Sequence, residues 1–374
     1  MEPVPSGWIS ISPRRSLSLS LTTLAGIDAR KREPVVVKVD SSQFSQWIDT
    51  VDAAAVEAWV YDSIAGWSII PFQVDEMSNE PVSVLGFITE ESPSRECESE
   101  PSGSLPPNTI GPCEVIYELT GEGPPAGVLS KNDEMVFLAG YAGSCISPTN
   151  WVPGQQGEFA DYRYRILVAD QENAEMGCVY LYRRTGGTSS TISDLIDYHP
   201  TGDGVPANCR PVGTDACGAI ISGALDIDGD AVIDSPAYQL DFYGNWTIDK
   251  WMIGETCQGQ PCPSQDMIDL FKYRIESPGE TERNWDLQDP DGGQCTNFRG
   301  YIDGPVRVVR DVQGSASGGT TRKIEFAYPG EFARRVYLRV HPVQGPIYTY
   351  PDLLEQNVNT SLSAKIFKAG YTGS

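Results

Sequence analysis

Apolar and polar residues alternate along much of this chain with a period of two. That is the period of a β-strand with one face on a core. The pattern is clearest in PVVVKVD (34–40), AVEAWVYD (55–62), WSIIPFQVD (67–75), EMVFLAG (134–140), YRYRILVAD (162–170) and GCVYLYRR (177–184). It returns in AYQLDFYG (237–244), FKYRI (271–275), GPVRVVRDV (304–312), TRKIEFAYP (321–329) and RRVYLRVHP (334–342). Pro and Gly separate these runs, as turns between short strands require. Helical patterning is sparse: SSQFSQWIDTVDAA (41–54), and SQDMIDLF (264–271) with Ser264 placed as an N-cap and Asp266 in the first turn. The pattern predicts an all-β fold, an antiparallel β-sandwich or supersandwich architecture with long loops and few short helices.

A chain of 374 residues exceeds one ordinary core. Stretches rich in Ser, Pro and Gly cover 92–129, 143–160 and 185–218. A soft boundary near 218 divides the chain into an N-terminal β-sandwich domain, 1–218, with loop-rich insertions, and a C-terminal one, 219–374. No stretch of about 18 apolar residues occurs, so no transmembrane helix is expected. PRRSLSLSLTTLAG opens like a signal peptide with Arg14 and Arg15. Its Leu17, Leu19 and Leu21 alternate with serines, though, which reads as a strand able to add to another sheet. NTSLSAKIF (359–367) partly shares that alternation, so self-association through terminal strands is an expected partnership.

Charge narrows the partners. The formal net charge of −24 opposes a phosphate backbone, so nucleic acid is not expected. Spare carboxylates suit cations instead. Of the nine cysteines, Cys209 and Cys217, Cys257 and Cys262, and Cys97 and Cys113 bracket loops rich in Gly, Pro or Ser. These three pairs are the expected disulfides, and they place the protein outside the cell, at its surface or in a periplasm. The alternative is nine reduced thiols in a cytoplasm. Cys145, Cys178 and Cys295 receive no partner from the sequence.

GALDIDGDAVIDSPAY (223–238) concentrates hard oxygen ligands. Asp226, Asp228 and Asp230 occupy positions one, three and five of a calcium-type loop, with the Val232 carbonyl at seven and Asp234 at nine. The run resembles the Asp-x-Asp-Gly-Asp loops of dockerins and thrombospondin type 3 repeats, a resemblance that implies calcium as cofactor. It departs from them at position six, Ala231, where Gly normally permits the turn, and at position twelve, Ala237, where a bidentate acid is normally found. The plain alternative is an Asp/Gly hairpin turn without an ion.

Two acidic pairs, Asp75/Glu76 and Asp133/Glu134, adjoin strands. Neighbours in sequence point to opposite faces, so acid–base work on a sugar would need one member from each pair to meet across strands. In RRVYLRV, Val336, Leu338 and Val340 share one face and Arg335, Tyr337 and Arg339 the other, which with His341 forms a candidate ligand face for an acidic glycan. Arg163 and Arg165 line up similarly in YRYRIL, opposite Tyr162 and Tyr164. Cross-strand pairing of these arginines with Asp and Glu is the structural alternative. His199 and His341 are each followed by Pro and lie near no nucleophile elbow, so no catalytic residue is assigned. Asn245 and Asn359 head glycosylation-type triplets.

From DGPVRVVRDVQG (303–314) through RKIEFAYP to RRVYLRVHP, the chain resembles the central strands of galactose-mutarotase-like β-supersandwich proteins of secreted bacterial carbohydrate-active systems. The resemblance implies fold first and carbohydrate activity second, with His341, Tyr337, Arg335 and Arg339 as the residues a polysaccharide lyase would use. The expected function is an extracytoplasmic, calcium-binding, non-catalytic surface or assembly protein. The alternative is a carbohydrate-active protein, either a glycan-binding module or a lyase or hydrolase.

Overall fold

The computed structural model describes residues 7–11, 32–77, 82–83, 113–114, 117–119, 121–122, 127–146, 152, 163–170, 173–184, 194–201, 230–243, 247–253, 265–275, 283–284, 296–316, 319–337 and 347–353. In chain order the strands are β1 (Gly7–Ile11), β2 (Pro34–Lys38), β3 (Val56–Asp62), β4 (Gly66–Ile69), β5 (Gln73–Asp75), β6 (Val82–Ser83), β7 (Cys113–Glu114) and β8 (Gly121–Glu122). There follow β9 (Glu134–Leu138), β10 (Tyr164–Asp170), β11 (Glu175–Arg183), β12 (Asp197–Pro200), β13 (Ala231–Asp234), β14 (Tyr238–Tyr243), β15 (Thr247–Ile253) and β16 (Gln265–Asp266). The last are β17 (Ile268–Ile275), β18 (Arg283–Asn284), β19 (Thr296–Asp303), β20 (Val308–Ala316), β21 (Gly319–Tyr328), β22 (Glu331–Tyr337) and β23 (Ile347–Leu353). The described residues are thus dominated by strand, as the alternation predicts.

The chain divides into two compact units. Unit 1 holds residues 1–80, 115–195 and 303–307, and unit 2 holds 81–114, 196–302 and 308–374. The sequence suggests one cut near 218. The structure instead interleaves the units, with residues 81–114 and 303–307 each assigned across that cut. Composition does not reveal such exchanges, because an inserted segment carries the same strand pattern wherever it docks.

Unit 1 contains a sheet in the order β1-β10-β11-β3-β4 and a smaller one in the order β2-β9-β5. Strand β1 runs parallel to β10, from Gly7 opposite Tyr164 to Ile11 opposite Val168. The other ladders of the larger sheet are antiparallel. Asp62 closes the β3–β4 hairpin by accepting the Ile64 and Ala65 N–H groups, and Gly66 follows at φ 81°, where a side chain would be strained. WSIIPFQVD breaks in two: β4 stays in the larger sheet and β5 joins the smaller, with Pro71, which has no N–H to offer a ladder, in the gap. Ala58, Val60, Tyr164, Ile166, Val179 and Leu181 from one sheet pack with Val37, Val74, Met135 and Phe137 from the other. Each Val, Leu, Ile, Met or Phe among them contributes roughly 1.5–3 kcal/mol when fully buried.

The segment 41–54, patterned as a helix, forms a run of turns that ends in a 3-10 turn at Ala53–Ala55, where Asp52 accepts the Ala54 N–H. It keeps the helix-like placement of Phe44, Trp47 and Val51 on the core, and both rings lie 4.7 Å from Tyr164. A disulfide joins Cys145 to Cys178 in β11, with their Cα atoms 5.0 Å apart.

Unit 2 is a sandwich. One sheet runs β12-β13-β14-β15-β17-β18, with β16 on β15 and β23 on β17. The other runs β22-β21-β20-β19. Ile233, Leu240, Phe242 and Ile248 from the first meet Val308, Val312 and Ala327 from the second. Of the predicted helix 264–271, Ser264 lies outside the described residues, and Gln265–Asp266 and Ile268 onward are instead strand, β16 and the start of β17. An eight-residue helix gains little by itself, whereas here Asp266 accepts the Trp251 and Ile268 N–H groups and β17 is paired on both sides, by β15 and β23.

Candidate functional site

On the smaller sheet of unit 1, Asp75 of β5 stands directly opposite Glu134 of β9. One member of each acidic pair therefore does meet across strands. Arg307 lies between them: its Nε is 2.6 Å and its Nη2 2.5 Å from Asp75 Oδ2, and Nη2 is 2.6 Å from Glu134 Oε2. The guanidinium and the Asp75 carboxylate are buried, while the Glu134 side chain is 20% exposed. The Tyr117 hydroxyl donates to Glu134 at 2.7 Å, and Arg307 lies over the Tyr117 ring at 5.3 Å. Gln73 locks the strap: its Oε1 accepts the Val306 and Arg307 N–H groups and its Nε2 donates to Asp75 at 2.6 Å. Gly304 passes so close to that amide that a Cβ there would collide with it.

Burial pushes the Asp75 carboxyl above its ordinary value, against the opposing pull of Arg307 and Gln73. Burial also raises the Tyr117 phenol. Asp133 caps a turn instead, accepting from Ser130 N–H, Ser130 Oγ–H and Met77 N–H. This centre is a closed clamp in which the carboxylates hold a guanidinium. The sequence offered each carboxylate but not Arg307, which follows Glu134 by 173 residues.

The candidate calcium loop is described only in part. Asp226 and Asp228 lie outside the described residues. The Asp230 carbonyl accepts the Thr201 N–H at 3.0 Å. Val232 sits within β13, between His199 of β12 and Asp241 of β14. Asp234 ends β13, takes a hydrogen bond from Gln239 Nε2 at 2.6 Å and lies 3.5 Å from His199 Nε2. Asp230 immediately precedes β13 and Asp234 is its last residue, so the two stand at opposite ends of that strand. Asp197, which the sequence did not single out, stands opposite Asp234. Among the described residues no three His, Cys, Asp or Glu side chains are grouped to hold a metal ion.

Of the expected disulfide cysteines, Cys113 lies in β7, whereas Cys97, Cys209, Cys217, Cys257 and Cys262 lie outside the described residues. The Cys145–Cys178 bond joins two residues the sequence left unassigned.

Of the candidate ligand face, Arg335 is exposed with its guanidinium 5.7 Å from the Phe326 ring, and Tyr337 ends β22. Arg339 and His341 lie outside the described residues. The more heavily engaged arginine is its neighbour Arg334, on the apolar face. Register places Arg310 of β20 opposite Glu325 of β21, and Glu325 opposite Arg334 of β22. Lys323, two residues along β21, shares that face. Glu325 is reached by Arg310 Nη1 at 2.6 Å, Arg334 Nε at 2.8 Å and Lys323 Nζ at 3.0 Å. The Phe242 ring lies 3.7 Å from the Arg310 guanidinium.

The other arginine pair is also absorbed. Arg163 is buried, donates to the Tyr182 hydroxyl at 3.1 Å and lies over the Tyr180 ring at 5.5 Å, while Arg165 stands opposite Tyr180. Trp67 packs edge-on against Tyr180 on this face, and Trp59 is half-buried beside it.

No family model, no curated protein and no solved structure matches this chain.

Proposed function

We propose that this chain is an extracytoplasmic, calcium-binding surface or assembly protein that acts by shape and strand addition. The observation that carries this reading is the placement of β1. Five residues lie at the outer edge of the larger sheet of unit 1, in parallel register with β10, and residues 12–33 separate them from β2. The main-chain bonds of an edge strand are indifferent to which copy supplies it. The Cys145–Cys178 disulfide supports an oxidising compartment. The net charge of −24 and the spacing of Asp226, Asp228, Asp230 and Asp234 support a cation-dependent protein. That Asp75 and Glu134 are engaged by Arg307 argues against their use as a sugar-cleaving pair.

Light scattering with and without calcium tests the reading. The full chain should self-associate with calcium present, a variant lacking residues 1–11 should stay monomeric, and Asp228→Ala should lose the calcium-dependent rise in melting temperature. A full chain that is monomeric at every concentration, with a melting curve indifferent to calcium, refutes it.

A glycan-binding role is the second reading. Its candidate groups are the half-buried Trp59, Trp67 and Arg165, which share one sheet face, and it is the reading to which the supersandwich resemblance belongs. Retention on acidic polysaccharide that is lost in Trp59→Ala would support it. Sugar release abolished by His341→Ala would move the protein to the lyases.

A further inference from the structure

Unit 2 buries a cluster of charged side chains. Arg310, Lys323 and Glu325 are all within 1% of full burial, and the Arg334 side chain is 6% exposed. In register, Lys323 lies between Val312 of the core on β20 and Val336 on β22, which packs against that core. Among the described residues, Glu325 on its own strand, Arg310 from β20 and Arg334 from β22 stand against it. Tyr198 of β12 reaches the cluster through a hydrogen bond with Arg310 and packs 4.3 Å from the Tyr301 ring of β19. Phe242 of β14 and Phe298 of β19 cover the Arg310 guanidinium. Asp241 and Lys250 pair on the opposite face of β14 and β15, and Asp311 projects from the opposite face of β20, so neither acid stands in this layer. Three cations thus converge on one carboxylate. Guanidinium groups keep their protons at any ordinary pH, which leaves the lysine as the one cation here that can discharge.

We propose that this cluster is a proton-responsive clasp: Lys323 sheds its proton inside the closed sandwich, and taking it up again weakens the hold of β20–β22 on the facing sheet. The electrostatics agree with the geometry. Burial, reinforced by Arg334 and Arg310 against the pull of Glu325, brings the Lys323 ammonium down to about 7. Burial opposes the charged form of Glu325 too, yet Lys323, Arg334 and Arg310 together bring its carboxyl down to about 2, so it stays ionised throughout. In the unfolded chain the lysine holds its proton to about 10.4. Between those values the unfolded state binds the extra proton, so stability climbs as pH rises from about 7 towards 10. Below 7 both states are protonated and this contribution is flat.

Urea unfolding of the full chain between pH 7 and 9 tests the clasp. In wild type the folding constant should rise on the order of fiftyfold over that range. Lys323→Met should remove most of this rise, while Lys250→Met, which removes a surface lysine, should keep it. A direct readout covers the case in which Lys323→Met does not fold. In wild type with 13C-labelled lysine, one Cε resonance should titrate near neutrality while the others move only above about pH 9. A folding constant that does not rise in wild type overturns the proposal, as does a rise retained in Lys323→Met, or a lysine set in which every resonance titrates above 9.

Discussion

The Arg307 centre of unit 1 and the Arg310 centre of unit 2 are built from the same parts in opposite proportion. In the first, one guanidinium serves two carboxylates. In the second, one carboxylate serves two guanidiniums and an ammonium. Both are held by cross-strand register with an aromatic ring beside the arginine. Burying charge is costly, and in each centre burial moves one group towards its neutral form. In unit 1 burial raises Asp75, which favours a protonated carboxyl. In unit 2 burial lowers Lys323, which favours a neutral amine. The signs of the linkage are therefore opposite. A raised Asp75 contributes stability that is present in acid and lost as pH rises through its folded value, whereas a lowered Lys323 favours folding as pH rises above about 7.

The sharpest way to break this comparison is to remove the hub of unit 1. Arg307→Met should cost roughly 3–5 kcal/mol, because it leaves Asp75 and Glu134 directly opposed without their shared cation. Asp75→Asn keeps the shape and removes one of the two negative charges. Both Asp75 oxygens accept, so the new amide N–H2 meets a donor, and the change should cost about 1.5–3 kcal/mol. Denaturant titrations of the two variants check this, and equal losses would mean that Arg307 acts through Asp75 alone, with its contact to Glu134 adding nothing.

Glu325→Gln, the corresponding cut in unit 2, should cost less, about 2–3 kcal/mol. The amide oxygen still accepts one donor, and Lys323 can shed its charge. The variant should also steepen the dependence on pH between 7 and 9, since the lysine loses the anion that favours its protonated form. Urea midpoints at those two pH values measure both effects. A loss that does not depend on pH would separate Glu325 from Lys323.

The sequence reveals these centres unevenly, for reasons visible in particular residues. Alternation marks β2, β3, β9, β10 and β11 almost to the residue, because each has one face on a core. It also sets the parity of β22 correctly, with Arg335 opposite in face to Val336. By the same parity Arg334 shares the apolar face. An arginine in that position reads as a strand end until Glu325 is known to lie across from it, and register between strands is not written in either strand alone. Asp75 and Glu134 were visible as acids, but their meeting depends on the β5–β9 pairing, and their partner arrives from residue 307. The segment 264–271 misleads in the other direction. Its N-cap signal is local, while the sheet partners that make it a strand are supplied by β15 and β23.

The smallest expected effect separates buried charge from surface charge. Lys250 pairs with Asp241 at 3.2 Å across β14 and β15, much as Lys323 pairs with Glu325 at 3.0 Å, but the Lys250 side chain is 48% exposed. Water already solvates that ammonium, so the pair gains little over its separated ions. Here the hydrogen bond and charge of Asp241 raise the lysine above its ordinary value, the reverse of Lys323. Lys250→Ala should therefore change stability by at most about 1 kcal/mol, and that change should shrink in high salt. Unfolding in low and high salt measures both. A loss above about 2 kcal/mol that persists in salt would show that register in this sheet depends on the pair, and that exposure alone does not decide which lysine matters.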